Sequence, residues 1–387
     1  MDATLMEVDG VGMNLKVHPT LALHQPHPLD LRDLILRLAN TGECETRQIS
    51  LLHRLRGQTF CVASRQGPGR AILGLAEVHC MGCPGHTIWH DPESQFASTL
   101  ALGMSTVVAE RTGVTVVNEF RSRDVAAGGQ GTPLGALVDY LMFRSPDENR
   151  LLLHLGGMAR LVYVPANARL QDVVGFEAAP CNILLDALMR QVTGGREPYD
   201  PGGKHAVQGR CLDRLLQRWL SHPSLLRKPP RSLPRFRFGS MFASQAVQEA
   251  REMDGTLFDL LCTGAHFVSQ AVIDSLRRFM PDKKVDRVLV SGGGSRNGLL
   301  WKLLSQYFGD NLELTDEVGV PSMARRAMSF GMLAALTLDG VPGNLPSATG
   351  ATASRILGTL TPGNPSNWSQ CLRWMARCLP GSSDLHV

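Results

Sequence analysis

Apolar positions along this chain of 387 residues change period repeatedly, and each change predicts an element. Met13-Asn14-Leu15-Lys16-Val17 alternates with period two and reads as a strand, whereas Leu29–Ala39 repeats at helical spacing. Ala71–Val78 predicts a strand leading into a loop over Cys83–His90; Leu100–Thr112 predicts a helix and Val114–Val117 a buried β-branched strand. Leu134–Phe143 is helical in pattern. Leu151–Leu155 and Leu161–Val164 flank a glycine pair and predict a β-hairpin-like pair. Helices are expected over Ile183–Val192, Cys211–Trp219 and Leu257–Phe279, with a long Pro/Arg-rich loop over 223–239. A strand at Val285–Val290, a helix at Leu299–Phe308 and a last long helix at Ser322–Leu338 precede a Pro/Gly-rich tail. Strands and helices mixed in this order fit an α/β architecture.

Composition adds little beyond class. Hydrophobic residues at 43% and charged residues at 19% describe an ordinary globular chain, long enough for two domains with separate cores. No apolar run reaches the length of a membrane span, and the acidic start Met1–Glu7 lacks the stretches of a signal peptide, so a cytoplasmic location is expected. The net charge of +4 is densest at Arg227-Lys228-Pro229-Pro230-Arg231 with Arg235 and Arg237. Charge runs usually face water, so a solvated loop is the expectation and a nucleic-acid contact ranks well below it. Nine cysteines are scattered; Cys80 and Cys83 have metal-ligand spacing near His79, His86 and His90, but no second pair follows and no metal site is expected.

Two glycine-rich segments carry the candidate chemistry. Gly128-Gly129-Gln130-Gly131 leaves the backbone free to fold closely round a ligand, and Arg121, Arg123 and Asp124 just before it can bind hydroxyl, carboxylate or phosphate oxygens. A buried salt bridge is the structural alternative for those side chains. Downstream, Gly292-Gly293-Gly294-Ser295-Arg296-Asn297 joins the 285–290 strand to a helix, a common way of presenting backbone N–H groups to phosphate.

Taken together these segments resemble the anhydro-N-acetylmuramic acid kinases, sugar kinases of the actin-like, Hsp70-like ATPase superfamily. The likeness runs from about Gly82 to about Asn364. It includes Thr87-Ile88-Trp89-His90, Arg111–Val117, the run from Phe120 to Gly131, Leu155-Gly156-Gly157, Gly319-Val320-Pro321 and Pro342–Pro346 with Thr349-Gly350-Ala351. The resemblance implies a two-lobed actin-like (ribonuclease H-like) α/β fold with an interdomain cleft. The first lobe would be 1–133 joined by 340–387, and the second 134–339. It also implies ATP and Mg²⁺ as cofactors, an amino sugar as substrate, and a homodimer. Water would attack the anomeric carbon of a 1,6-anhydro sugar, and the freed oxygen would take the γ-phosphate. Carried over residue by residue, Glu177 stands at the catalytic base. Thr87, Arg121, Arg123, Asp124 and Gln130 stand at the sugar, and Gly156, Gly157, Gly292, Gly293, Gly294 and Asn297 stand at the nucleotide.

Several positions depart from the family pattern. Glu177 replaces an aspartate within Phe176-Glu177-Ala178-Ala179-Pro180-Cys181-Asn182, and Arg160 closes a segment that ends in asparagine in the family. Pro84 and His86, Ala101 and Met104, Leu233, Pro234 and Phe236, and Arg326 fall at further family positions with other chemistry. Aligned without gaps, Met1–Val8 falls on the family's first phosphate loop and lacks its serines and glycines, which leaves the family's first strand missing. The alternative expectation is a non-catalytic pseudokinase that keeps sugar or nucleotide binding or serves as an interaction scaffold.

Overall fold

The computed structural model describes residues 1–41, 44–66 and 74–378, and divides into two compact units, Met1–Phe143 with Met323–Val387, and Arg144–Ser322. The first unit opens with an antiparallel pair, β1 (Asp2–Asp9) and β2 (Lys16–His24), followed by α1 (Leu29–Thr41) and α2 (Thr46–Gln66). The pair slips register between Leu5 and Met6, where Pro19, which has no N–H to give, faces Met6. Then come β3 (Cys80–Gly82), β4 (His86–Asp91), β5 (Ser98–Leu102), α3 (Ser105–Thr112), β6 (Thr115–Asn118), α4 (Ser122–Ala126) and α5 (Ala136–Phe143).

The second unit holds β7 (Arg150–Leu155), β8 (Met158–Val164), β9 (Val174–Pro180), α6 (Asn182–Thr193), α7 (Asp213–Leu220), α8 (Pro223–Leu226), α9 (Ser240–Glu252), α10 (Leu257–Phe279), β10 (Arg287–Ser291), α11 (Gly298–Phe308) and β11 (Leu312–Leu314). Its sheet has the order β11-β10-β7-β8-β9, with β8 antiparallel to both neighbours and β10 parallel to β7 and β11. This is the ribonuclease H-like arrangement that the resemblance implies. Helix α10 is set off by a reciprocal cap: Asp259 N–H donates to Thr256 Oγ1 and Thr256 N–H to Asp259 Oδ2. Its buried face joins Leu151, Leu153, Phe176 and Val290 in one core.

The chain then returns to the first unit as α12 (Arg325–Leu338), α13 (Pro346–Thr349), β12 (Thr359–Thr361) and α14 (Pro365–Cys378), with β12 completing a sheet of order β12-β6-β3. Helix α12 packs on β1 and β3, so the boundary lies at 322/323 and not at 339/340; the other falls at 143/144, because α5 packs on α12.

Several sequence expectations change, among them the loop over Cys83–His90, which from His86 is strand β4 because it pairs with β5. Of residues 1–8, aligned above with a phosphate loop, all but Met1 lie in strand β1, so their lack of glycine says nothing about such a loop. The helix expected from Leu100 begins at Ser105, because 98–102 pairs with β4 and Gly103 breaks the run at φ +150°. The expected strand 71–78 falls partly outside the described residues, and Leu75–Glu77 is a 3₁₀ turn. The basic loop 223–239 is not simply solvated: Arg231 is fully buried. Its guanidinium donates to the carbonyls of Glu177, Leu225 and Arg227 and to Ser275 Oγ, and it lies over the rings of Phe176 and Phe279.

Candidate functional site

The second unit gathers its glycines at one edge of the sheet. Strands β7 and β10 run parallel with His154 opposite Ser291, whose Oγ lies 3.0 Å from His154 Nδ1. The turns at 156–157 and 292–294 therefore leave the sheet at the same edge. Strand β9 ends there too, with Pro180 paired to Met158, and α6 begins at once. The first amides of α6 dock on the glycine pair: Cys181 and Ile183 donate to Gly157 O at 3.0 and 3.1 Å, and Asn182 to Gly156 O at 3.1 Å. Ligand sites in open α/β sheets lie outside the carboxyl ends of the strands.

Glycine is needed at this edge for two different reasons. Gly292 has φ +90°, and a Cβ there would stand 2.7 Å from Leu155 O; one on Gly294 would stand 2.8 Å from Leu155 Cβ. Those two are demanded by the packing of one turn on the other. Gly157 is different. It is exposed, its φ is not positive, and a Cβ would meet only Ile183, at 3.4 Å, an ordinary contact. Neither conformation nor crowding calls for glycine there. Gly293 is exposed between its two buried neighbours. Asn297 caps α11, its Oδ1 accepting from Leu300 N–H at 3.1 Å, and Gly203 packs against that oxygen, so its visible work is structural.

Glu177 lies three residues back from the end of β9, 4% exposed. Its cross-strand partner is Arg160, whose Nε donates to Oε1 at 3.1 Å, while Leu233 N–H donates to Oε2 at 2.9 Å. Arg231 holds the 223–239 segment against β9: its guanidinium donates five bonds and its carbonyl accepts from Glu177 N–H, and this brings Leu233 to the carboxylate. Arg235 is half-buried nearby; burial and the charge of Arg160 pull its pKa down, and Glu177 opposes the shift. Two residues that depart from the family pattern, Arg160 and Glu177, are thus bonded to each other.

The residues expected at the sugar all lie in the first unit. Asp124 is 0% exposed; its Oδ1 accepts from Asn344 Nδ2 at 2.6 Å and Thr349 Oγ1 at 2.7 Å, and its Oδ2 from Gly131 N–H at 2.7 Å. The carboxylate thus accepts three bonds inside the fold, from an asparagine, a threonine and an amide, where the structural alternative supposed an arginine. Gly129 packs on that carboxylate, and Gly131, at φ +63°, on the stem of Arg121. Gln130 N–H donates to Thr349 O at 2.7 Å, and exposed Arg123 donates through Nη1 to Ile356 O at 3.1 Å. Thr87 is half-buried on β4 opposite Ala101 of β5, against which α4 packs. Cys80 and Cys83 have their thiols pushed up to about 12, burial being the first cause, and among the described residues no three His, Cys, Asp or Glu group as a metal site. Sequence reasoning named Arg231 only in a basic run, Leu233 only as a departure from the family pattern and Asn182 only within the base segment; the first two shape the surroundings of Glu177, and Asn182 Nδ2 reaches Leu155 O at 3.5 Å beside Gly294.

A parallel-strand edge with facing glycine turns defines the class as an α/β protein whose glycine turns lie at the carboxyl ends of its strands. The sequence profile of the family described as anhydro-N-acetylmuramic acid kinase matches residues 1–363. The chain belongs to that family. The anhydro-N-acetylmuramic acid kinase of Gloeobacter violaceus is 35% identical over 94% of this chain and 95% of its own; that of Salinibacter ruber is 34% identical over 94% of each. That of Caldanaerobacter subterraneus subsp. tengcongensis is 31% identical over 93% of each. Among the described residues no helix is long and apolar enough to cross a membrane.

Proposed function

We propose that this chain is a cytoplasmic ATP-dependent kinase that opens 1,6-anhydro-N-acetylmuramic acid with water and phosphorylates the freed 6-oxygen, in the recycling of cell-wall sugar. Gly157 carries this reading: it is an exposed glycine that packing does not require, at the edge where the 292–294 turn and α6 converge. Mg·ATP, when bound, supplies a transferable phosphoryl group whose charge the cation shields. The peptides at 156–157 and 292–294 fit such a group by letting it approach the backbone.

Glu177 is the base in this scheme. It takes a proton from water as the oxygen of that water bonds to the anomeric carbon and the bridging C–O bond breaks toward the 6-oxygen. Each carboxylate oxygen already accepts a bond, from Arg160 Nε or the Leu233 amide, so the water proton goes to an oxygen that one of these donors also holds. That same observation favours a second reading, a pseudokinase that keeps the nucleotide edge and has its base locked in an ion pair. Family membership supports the first. A homodimer accompanies both readings.

A turnover assay separates them: ADP release with ATP and the anhydro sugar, with the phosphorylated product identified by mass spectrometry. The kinase reading expects turnover that Glu177→Gln reduces by at least a hundredfold. Nucleotide binding without turnover in the unaltered protein would establish the pseudokinase.

A further inference from the structure

Strand β9 is bulged at the residue after Glu177. Against β8 it pairs Ala179 with Ala159 and then Glu177 with Arg160, so Ala178 is the extra residue. Regular pairing would have put Ala178 opposite Arg160; the bulge puts the carboxylate there instead. Arg231 clamps it: the Ala178 carbonyl accepts from Arg231 Nη2 at 3.4 Å and from Ser275 Oγ at 3.2 Å, and the Glu177 carbonyl accepts from Arg231 Nε at 3.0 Å. Arg160 in turn lies opposite His154, and His154 opposite Ser291. Polar side chains therefore cross β10, β7, β8 and β9 in one row that ends at the base.

That end of the row has more positive charge than negative. Arg160 holds Glu177 through Nε, its side chain is 26% exposed, and among the described residues its two terminal nitrogens bond nothing. Arg235 stands half-buried beside the pair and makes no ion pair among the described residues. Arg231 is a third guanidinium, with all five of its donors spent on carbonyls and on Ser275. The charges that act on Arg231 and Arg235 are those of Arg160, Arg227 and Arg278, which repel them, and that of Glu177, which attracts them. Three guanidiniums thus surround one carboxylate, and Arg160 and Arg235 keep donors to give. A second carboxylate at this place would meet both the charge and the donors.

We propose that Arg160 and Arg235 form the seat of the substrate's own carboxylate, the lactyl group that distinguishes a muramic acid from a glucosamine, and so make this chain selective for the anionic sugar. The inference rests on the reading of Glu177 as the base: a base at the anomeric carbon puts the guanidinium bonded to it beside the sugar. Phosphate has its own place at the glycine turns after β7 and β10, whereas Arg160 and Glu177 face each other on β8 and β9. Nε of Arg160 stays on Glu177 while its terminal nitrogens take the ligand, so one planar fork both orients the base and reads the substrate. Arg160 stands where the family pattern has asparagine, which makes its share of the seat particular to this chain.

The test is calorimetry of the folded full chain with 1,6-anhydro-N-acetylmuramic acid, its lactamide and 1,6-anhydro-N-acetylglucosamine, which needs no turnover. The acid should bind about tenfold or more tightly than the isosteric lactamide, as expected of bonds to a charged group. Arg160→Asn should remove most of that ratio and Arg235→Gln part of it, while Arg160→Lys, which keeps the charge and loses the fork, should retain some. If Arg160→Asn does not fold, the acid and lactamide compared on the unaltered protein read the same contact. Equal affinity for acid and lactamide, or a ratio that survives both variants, would overturn the proposal and leave the kinase reading standing. A ratio untouched by Arg160→Asn, with ATP weakened relative to ADP, would assign the seat to the γ-phosphate and overturn it too. No heat from any of the three sugars would remove the sugar-kinase reading itself, and this inference with it.

Discussion

Two glycine-rich regions of this molecule read alike as sequence and are built for different ends. At 128–131 the glycines make room for the protein itself: Gly129 for the Asp124 carboxylate, Gly131 for the stem of Arg121, with Asp124 tying the run to Asn344 and Thr349. At the edge of the second unit, Gly292 and Gly294 likewise serve packing, but Gly157 is exposed and uncrowded. What separates a structural glycine from one that can face a ligand is whether the missing Cβ would have met the protein. Spacing cannot report that.

The comparison breaks first at Asp124. Asp124→Ala should strand three buried donors and cost on the order of 4 kcal/mol by urea denaturation, each bond to a charged group being worth about 1.5–3 kcal/mol. A loss below about 1 kcal/mol would mean the run is not clamped as described. Gly292→Ala comes next, at roughly 2–3 kcal/mol, because the new Cβ meets Leu155 O while the backbone stays at φ +90°. The Arg160–Glu177 pair should couple by about 1–2 kcal/mol in a double-mutant cycle using Arg160→Asn and Glu177→Gln; additive effects would show that the bond carries no weight. Gly157→Ala is the smallest in stability, within about 0.5 kcal/mol. It should nonetheless weaken Mg·ATP binding about tenfold, or ~1.4 kcal/mol. A stability loss like that of Gly292→Ala would erase the distinction.

Much of the second unit was legible because its signals are local. Leu151–Leu155, the glycine pair and the long apolar period of 257–279 each carry their pattern within a few residues, and the observed β7, β8 and α10 follow them. Strand β9 was not legible: Val174–Pro180 holds a glycine, a glutamate and a proline, and its stability comes from Arg160 across the ladder and Arg231 from a distant segment. Arg231 itself sits in a basic run whose composition suggests water, and only the carbonyls converging on it reveal its burial. The first unit was read least well. Its β1 alternates weakly, and the continuous apolar pattern of 100–112 hides the break at Gly103. Of the candidate site, the glycine turns were visible in the sequence, whereas the internal commitment of Asp124 depends on residues more than two hundred positions away.

The central claim is that the glycine edge of the second unit holds Mg·ATP. Isothermal calorimetry of the folded chain with Mg·ATP, followed by 1,6-anhydro-N-acetylmuramic acid, tests it most directly. The account predicts a saturable heat for the nucleotide that Gly157→Ala weakens about tenfold, and binding of the sugar as second titrant. A folded protein that gives no nucleotide heat, or one whose binding is untouched by Gly157→Ala, would contradict it.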